Sequence, residues 1–224
     1  GLYGPARLCT GIFSTADLRL GDRAEDILTA HLQASSNFRG IRSAFPADLN
    51  EAFLTGFSLL EKYNLAYDNW SPDFTRLPRL ADLANKNPGV TVIVNHLGGK
   101  IDPSADEEEL SVWREAIDYV AACPNTVMKL GGAQMRVGDW EPPYHMHKAD
   151  SPWDSDKFLS TLLPRYQYAF EKFGPDRCMF ESNFPVDKDC ISYRTLWNLF
   201  KKMATKLGLS LSLIHISEPT RQPT

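Results

Sequence analysis

The feature that most constrains the fold is a regular alternation of strand-like and helix-like segments along the chain. Six segments rich in apolar residues are each followed by a segment with apolar residues at helical spacing. The strand-like segments are 6–13, 38–43, 65–70, 90–96, 126–132 and 177–183, and the helical segments are 22–34, 50–63, 76–86, 106–122, 155–173 and 190–206. This alternation predicts a parallel sheet, because each helix returns the chain to the edge where the next strand begins.

Two α/β architectures fit this alternation, an open doubly wound sheet and a (β/α)8 barrel. No G-x-G-x-x-G or P-loop motif follows the first strand, which disfavours the nucleotide-binding open sheet. Polar residues fall at or near the carboxyl ends of several predicted strands, namely Arg42, Asp68, His96, Lys129, Glu181 and Asn183. Active sites of barrels are built at that rim, so we expect an α/β fold of the TIM-barrel type.

Composition excludes several functional classes. The chain has 224 residues, 43% of them apolar, a formal charge of −4 and a pI near 5.7, which argue against nucleic-acid or membrane-surface partners. There is no apolar run of transmembrane length, and the first residues lack a signal-peptide layout. The cysteines form no C-x-x-C pair and are typical of reduced thiols; they are Cys9, Cys123, Cys178 and Cys190. We expect a cytoplasmic protein with a small-molecule substrate, and its oligomeric state stays open.

The end of the chain requires separate treatment. Residues 211–221 read LSLIHISEPTR, which resembles a translated DNA-library adapter of the transposase type. We therefore expect 1–210 to form the folded part and 211–224, including His215, to be a sequencing artefact. A natural frayed tail is the alternative. A chain that runs into an adapter would be cut from a longer gene, and further sequence is then expected before Gly1.

Three basic side chains are candidates for substrate contact. His96 follows a β-branched strand and precedes Leu-Gly-Gly, so it could be a metal ligand, a donor to a substrate oxygen or a buried core histidine. Arg42 suits bidentate recognition of a carboxylate, with a structural salt bridge as the alternative. Lys129 lies in an apolar strand and needs a partner, which could be a substrate carboxylate, Glu181 or Asp68.

The segment RCMFESNFPVDK begins as a strand and ends in polar residues. Glu181 and Asn183 are two residues apart and would share one face of the sheet, with Asp187 in the following loop. Glu181 could act as a general base, whereas the amide of Asn183 can only orient water or substrate. A polar strand end that meets water is the simpler alternative.

The stretch 133–153 is too long for an ordinary connection between a strand and a helix. It carries His145 and His147 in a weak H-x-H metal pattern, beside Trp140, Tyr144 and Trp153. We interpret it as an aromatic lid over a substrate, with His145 and His147 as substrate contacts. A surface loop is the alternative.

The motifs FRGIR, VIVNHLGG, TVMKLGG and GPDRCMFESNFPVDK together resemble the amidohydrolase-related branch of the amidohydrolase superfamily, over nearly all of 1–208. The resemblance implies a (β/α)8 barrel with a hydrolytic site at its carboxyl rim. His96 matches the histidine that ends strand six, and Asn183 stands where the family pattern G-S-D-W-P has the aspartate that activates water. No His-x-His strand precedes residue 6, so the present strands would correspond to strands three to eight, and the barrel is present only in part.

The resemblance implies a hydrolase that cleaves a lactone, ester or amide of a small acidic substrate. His96 and Asn183 would hold the carbonyl or water. Arg42, Asp68 and Lys129 would contact the substrate, with Arg42 and Lys129 binding its carboxylate. Glu181 or Asp187 would supply the base. A divalent metal such as zinc is open for the complete protein, with His96 the one candidate ligand here. Chemistry without a metal is favoured, since an amide is a poorer ligand than a carboxylate.

Two other functions stay open at this point. The same barrel could decarboxylate an aromatic or unsaturated acid, or it could bind a ligand without turnover because Asn183 replaces the usual carboxylate. Six strands cannot close an eight-stranded barrel, so the chain by itself is expected to be inactive.

Overall fold

The computed structural model describes residues 11–100, 105–133 and 153–209. Within these ranges strands and α-helices alternate in the predicted order. The strands are β1 (Ile12–Ser14), β2 (Phe38–Ala44), β3 (Ala66–Trp70), β4 (Val92–Val94), β5 (Thr126–Leu130) and β6 (Cys178–Phe180). The helices are α1 (Ala24–Ala34), α2 (Glu51–Lys62), α3 (Leu77–Lys86), α4 (Glu107–Ala121), α5 (Ser155–Phe173) and α6 (Tyr193–Lys206).

The strands form one parallel sheet in the order β1-β2-β3-β4-β5-β6, and each strand pairs with its neighbours in the chain. The sheet curls into a half-barrel with helices on its outer side, as expected for part of a TIM-barrel-like fold. The predicted α/β class and parallel sheet are therefore confirmed. No helix within the described ranges is long and apolar enough to cross a membrane.

The helix-facing side of the sheet forms the hydrophobic core. Ile41, Tyr67, Val92 and Met128 on successive strands are each fully buried. They alternate along their strands with residues of the opposite face, where Arg42 pairs with Asp68 and Lys129 pairs with Met179. Burial of a large apolar side chain contributes about 1.5–3 kcal/mol. The core thus fixes which residues of each strand are left for the inner face.

Side-chain caps define where several helices begin. Asn50, Asp106, Asp154 and Ser192 each accept a hydrogen bond from a backbone N–H in the first turn of α2, α4, α5 and α6, respectively. Gly174 ends α5 with a φ of 75°, a conformation that glycine adopts at little cost. The predicted helices are all present, and α6 shows the largest shift because it begins at Tyr193 instead of 190.

Among the described strands, β1, β4 and β6 depart most from the predicted bounds. The strand predicted at 6–13 appears as Ile12–Ser14, and 6–10 lie outside the described residues. The strand predicted at 90–96 ends at Val94, because His96 and Leu97 adopt left-handed φ values of 50° and 55°. The strand predicted at 177–183 ends at Phe180, and Asn183 has a φ of 51°. The polar residues of these segments therefore lie on the turns that follow the strands.

Candidate active site at the carboxyl edge of the sheet

Five of the predicted site residues meet at the carboxyl edge of the sheet. Arg42, Asp68 and Lys129 extend from the inner face of β2, β3 and β5, respectively. His96 lies in the turn after β4, and Glu181 follows β6 directly. Because carboxyl ends of parallel strands lie at the same edge, residues far apart in sequence become neighbours here.

His96 lies at the centre of the site and is 2% exposed. Its Nε2 atom is 2.9 Å from Nη2 of Arg42, and its Nδ1 atom contacts the Oε1 atom of Glu181. The ring of Trp70 packs against the imidazole in an edge-to-face arrangement, with 4.9 Å between centroids. Both ring nitrogens are therefore engaged, one by a cation and one by a carboxylate.

Glu181 has a second partner, Lys129, whose Nζ atom lies 3.6 Å from Oε2. Burial alone would raise the pKa of Glu181, but the hydrogen bond from His96 and the positive charges around it outweigh burial and hold the pKa below its ordinary value. Glu181 is consequently an ionised carboxylate at neutral pH and a weak proton acceptor.

Asp68 and Lys129 form a buried ion pair. Lys129 Nζ lies 2.8 Å from Asp68 Oδ2, and Asn95 donates to the other carboxylate oxygen at 2.9 Å. Asp68 is 1% exposed, and this burial raises its pKa in spite of the charge of Lys129. The geometry matches the pairing alternative for Lys129. The substrate contacts predicted for Asp68 and Lys129 stay predictions.

Asn183 and Asp187 form a separate pair beside the cluster. The Asn183 amide donates to Asp187 Oδ1 at 2.6 Å, and Oδ2 of Asp187 is buried without a hydrogen-bond partner in the described part of the chain. Asp187 is fully buried, and burial is the main cause that raises its pKa to about 7. The structure thus provides an ionised carboxylate at 181 and one that is protonated near neutrality at 187.

Two glycines after β5 make room for the contact between His96 and Glu181. A Cβ atom on Gly131 would lie 2.2 Å from the Glu181 carbonyl oxygen, and one on Gly132 would lie 2.3 Å from His96 Nδ1. Any larger residue would collide with the pair. The sequence TVMKLGG predicts a strand end here, but the role of its glycines becomes clear only from these distances.

The site contains two further residues that were not predicted from the sequence, Asn95 and Trp70. Asn95 immediately precedes His96, and Trp70 ends the segment LAYDNW, so position at a strand end was the available signal. His145 and His147, with the predicted lid, lie outside the described residues. Their substrate contacts stay predictions.

The residues of the site can be tested as metal ligands. Within 11–100, 105–133 and 153–209, no group of three or more His, Cys, Asp or Glu could hold a metal ion. His96 has a guanidinium against Nε2, and a metal cannot share that nitrogen with a hydrogen-bond donor. The described residues in this arrangement therefore do not fit a metal.

A curled parallel half-barrel with charged residues converging at its carboxyl edge defines the class of TIM-barrel-like α/β proteins. Comparison with known proteins gives the family within that class. The sequence profile of the amidohydrolase family (the amidohydrolase-2 branch) matches residues 9–213, and the chain belongs to this family.

Individual relatives agree with this membership. An uncharacterized protein of Sinorhizobium fredii is 35% identical over 216 residues, which cover 90% of this chain and 64% of that protein. The L-rhamnono-gamma-lactonase of Scheffersomyces stipitis is 25% identical over 144 residues, which cover 60% of this chain and 40% of the lactonase. The chain thus spans less than two thirds of the length of these relatives.

Solved structures support the fold. The crystal structure of an amidohydrolase from Burkholderia multivorans with bound zinc matches with a TM-score of 0.75 at 22% identity. The match covers 94% of this chain and 71% of that protein. At this identity the likeness establishes the shared architecture.

Proposed function

We propose that the protein is a hydrolase that cleaves a lactone, ester or amide bond of a small acidic substrate. The observation that carries this proposal is the state of Arg42. Its guanidinium is half-buried at the carboxyl edge of the sheet, and in the described ranges its hydrogen-bond partner is a neutral acceptor, Nε2 of His96, with no carboxylate bound to it. Among the described residues, several of its N–H donors therefore have no partner and can bind an anionic ligand.

The other charges of the cluster are already balanced. Lys129 lies between Asp68 and Glu181, and the carboxylate of Glu181 also contacts His96. Arg42 is thus the cation that an incoming carboxylate can bind with least competition. A guanidinium binds a carboxylate through two parallel hydrogen bonds, which gives orientation as well as affinity.

Hydrolysis requires a group that removes a proton from water and returns it to the leaving group. His96 has a suitable side chain, and it lies between Arg42 and the carboxylate of Glu181. The N–H groups of Arg42 could stabilise negative charge on the carbonyl oxygen as water adds. Membership in the amidohydrolase family and the likeness to a sugar lactonase support a hydrolytic reaction.

The test is a kinetic assay of the complete open reading frame that contains this chain. Lactones, esters and amides are offered in pairs that differ only in one carboxylate. Water labelled with ¹⁸O distinguishes hydrolysis, which incorporates the label, from decarboxylation, which releases carbon dioxide. We expect the acidic member of a pair to be cleaved with incorporation of label.

A matched pair of variants locates the anion site. Arg42→Ala should lower kcat/KM for the acidic substrate by about tenfold or more, because it removes a charge-assisted contact. Arg39→Ala is the control, since Arg39 lies on the same strand but donates to the carbonyl oxygens of Ser36 and Phe38. Equal losses in both variants, or equal cleavage of acidic and neutral substrates, would refute the role of Arg42. Binding without turnover across the panel would instead support a catalytically inactive barrel.

A further inference from the structure

We propose that Glu181 is a positioning residue that holds His96 in one tautomer, and that Arg42 covers the basic nitrogen of His96 until an anionic substrate binds the guanidinium. Nε2 of His96 would then be the base, and the substrate itself would uncover it. This inference rests on the proposed hydrolytic function and assigns the roles of three residues within that site.

The contacts of His96 define which of its ring nitrogens carries the proton. A guanidinium has N–H donors and no acceptor, so the contact of 2.9 Å requires Nε2 to be the acceptor. The ring proton of neutral His96 is then on Nδ1, the nitrogen that contacts the carboxylate of Glu181. Arg42 and Glu181 thus specify the same tautomer from opposite sides of the ring.

The position of Glu181 allows its carboxylate to orient the imidazole of His96. Glu181 follows β6 directly and lies two residues before Asn183. Gly131 and Gly132 leave the space in which that carboxylate reaches His96. Glu181 is anchored further by Lys129, so both of its oxygens face cationic or N–H groups. It is therefore placed to orient the imidazole of His96.

The contact between Arg42 and Nε2 of His96 covers the lone pair of that nitrogen. While Arg42 donates to Nε2, the lone pair of that nitrogen is not available to water. A carboxylate is a stronger acceptor for a guanidinium than a neutral imidazole is, because the hydrogen bonds are charge-assisted. An acidic substrate whose carboxylate binds the Nη2 edge of Arg42 would therefore replace the imidazole as acceptor and release Nε2 next to the bound carbonyl group.

The reaction then balances without another reagent. Nε2 takes a proton from water as the water oxygen bonds to the carbonyl carbon, and the π electrons of the carbonyl move to its oxygen. Collapse of this intermediate breaks the C–O or C–N bond, and the imidazolium returns the proton to the leaving oxygen or nitrogen. The carboxylate of Glu181 stabilises the imidazolium between the two steps.

The test is ¹⁵N NMR of the histidine rings in the purified chain, which needs no turnover. The His96 signals are assigned by their loss in His96→Gln. We expect His96 to carry its proton on Nδ1, and we expect added acetate to shift the Nε2 resonance. In Arg42→Ala the Nε2 resonance should already be shifted and should no longer respond to acetate, whereas Arg39→Ala should behave like the unchanged protein.

Glu181→Gln tests the positioning role. We expect loss of the single tautomer at His96, while Glu171→Gln leaves it intact, because Glu171 is exposed on α5 and accepts a hydrogen bond from Gln167. In the complete reading frame, Glu181→Gln should lower kcat about 10²-fold with little change in KM. A proton on Nε2 of the unchanged protein, or no response of Nε2 to either acetate or Arg42→Ala, would overturn the proposal. The spectra can contradict the tautomer proposal even if the protein hydrolyses its substrate. An inactive protein can equally show the expected spectra, so the two proposals are tested separately.

Discussion

Gly132 shows how a residue without a side chain can shape a charged site. It has a φ of 68°, and a Cβ atom there would lie 2.3 Å from His96 Nδ1. Two separate costs therefore oppose substitution. One is the left-handed backbone, and the other is displacement of His96 from Glu181.

We predict that Gly132→Ala lowers the free energy of unfolding by about 2–4 kcal/mol, of which about 1–2 kcal/mol is backbone strain. Gly208→Ala is the control, because Gly208 has a φ of 71° and a Cβ atom there would meet no other atom within 4 Å. That variant should show the backbone cost alone. Urea unfolding of both variants measures the difference, and equal losses would mean that His96 moves aside at no cost.

Asp187 should give the stability of the protein an unusual pH dependence. Its pKa is raised to about 7 mainly by burial, with Asn183 donating to it and the charge of Glu181 opposing its ionisation. In the unfolded chain an aspartate has a pKa of about 3.9. Between these two values the folded state keeps a proton that the unfolded state has lost. This group therefore makes stability fall as pH rises from about 4 to about 7, with no further change above that.

We predict that Asp187→Asn removes this contribution, which is at most about 4 kcal/mol over the whole window. The variant should gain stability relative to the unchanged protein as pH rises from about 4 to about 8 in urea unfolding. Other titrating groups are common to both proteins and cancel in the comparison. Asp189→Asn, an exposed position in the same turn, should leave the pH dependence unchanged. Parallel stability curves for Asp187→Asn and the unchanged protein would contradict the prediction.

At the scale of elements, the short strands β4 and β6 are followed by turns that carry residues of the candidate site. Each has three residues, and the positive φ values of His96 and Asn183 lie just beyond them. Non-glycine residues in this region cost about 1–3 kcal/mol and persist where surrounding contacts fix them. At His96 those contacts include Arg42, Glu181 and Trp70.

The capping hydrogen bond of α6, the helix that follows β6, tests how much a local contact stabilises these elements. Ser192 caps α6 by accepting from the N–H of Thr195 at 3.0 Å. We predict that Ser192→Ala lowers the free energy of unfolding by about 1 kcal/mol. Ser160→Ala is the control, since its exposed hydroxyl donates to the carbonyl oxygen of Lys157 within α5 and caps nothing. A similar loss in both variants would show that the capping bond contributes little.

At the scale of the whole molecule, the pair of Lys129 and Asp68 joins β5 to β3 across β4. The side chains of Lys129 and Asp68 are 14% and 2% exposed, so water cannot fully hydrate either charge when its partner is removed. The pair of Lys172 and Asp118, which joins α5 to α4, is 40% and 44% exposed. The same chemical pair thus occurs both inside the half-barrel and at its surface.

We predict that Lys129→Met lowers the free energy of unfolding by about 3–5 kcal/mol, because it leaves a buried carboxylate without its cation. Lys172→Met should cost about 1 kcal/mol or less. In about 1 M salt the cost of Lys129→Met should persist, whereas the cost of Lys172→Met should disappear. Adding Asp68→Asn to Lys129→Met should recover part of the loss. Equal costs for the two lysine variants would show that the inner pair is as well solvated as the surface pair.

The proposed division of the chain at 210 remains a prediction at this scale. Residues 210–224 lie outside the described ranges, and the amidohydrolase profile extends to residue 213. We propose that 1–210 carries the folded part. Deletion of 211–224 should then leave the urea unfolding curve unchanged.

The sequence alone determined the alternating elements, the parallel sheet and the family, because apolar spacing and strand-end motifs are local properties of the chain. It also indicated Arg42, His96, Lys129 and Glu181, since polar residues at the ends of apolar strands are costly unless they find partners. Tertiary structure decided which of them touch. Only the curl of the sheet and the space at Gly132 bring His96 between Arg42 and Glu181, from segments far apart in sequence. Contacts of this kind depend on the register of several strands and on volumes across the inner face, and neither is encoded in any one segment.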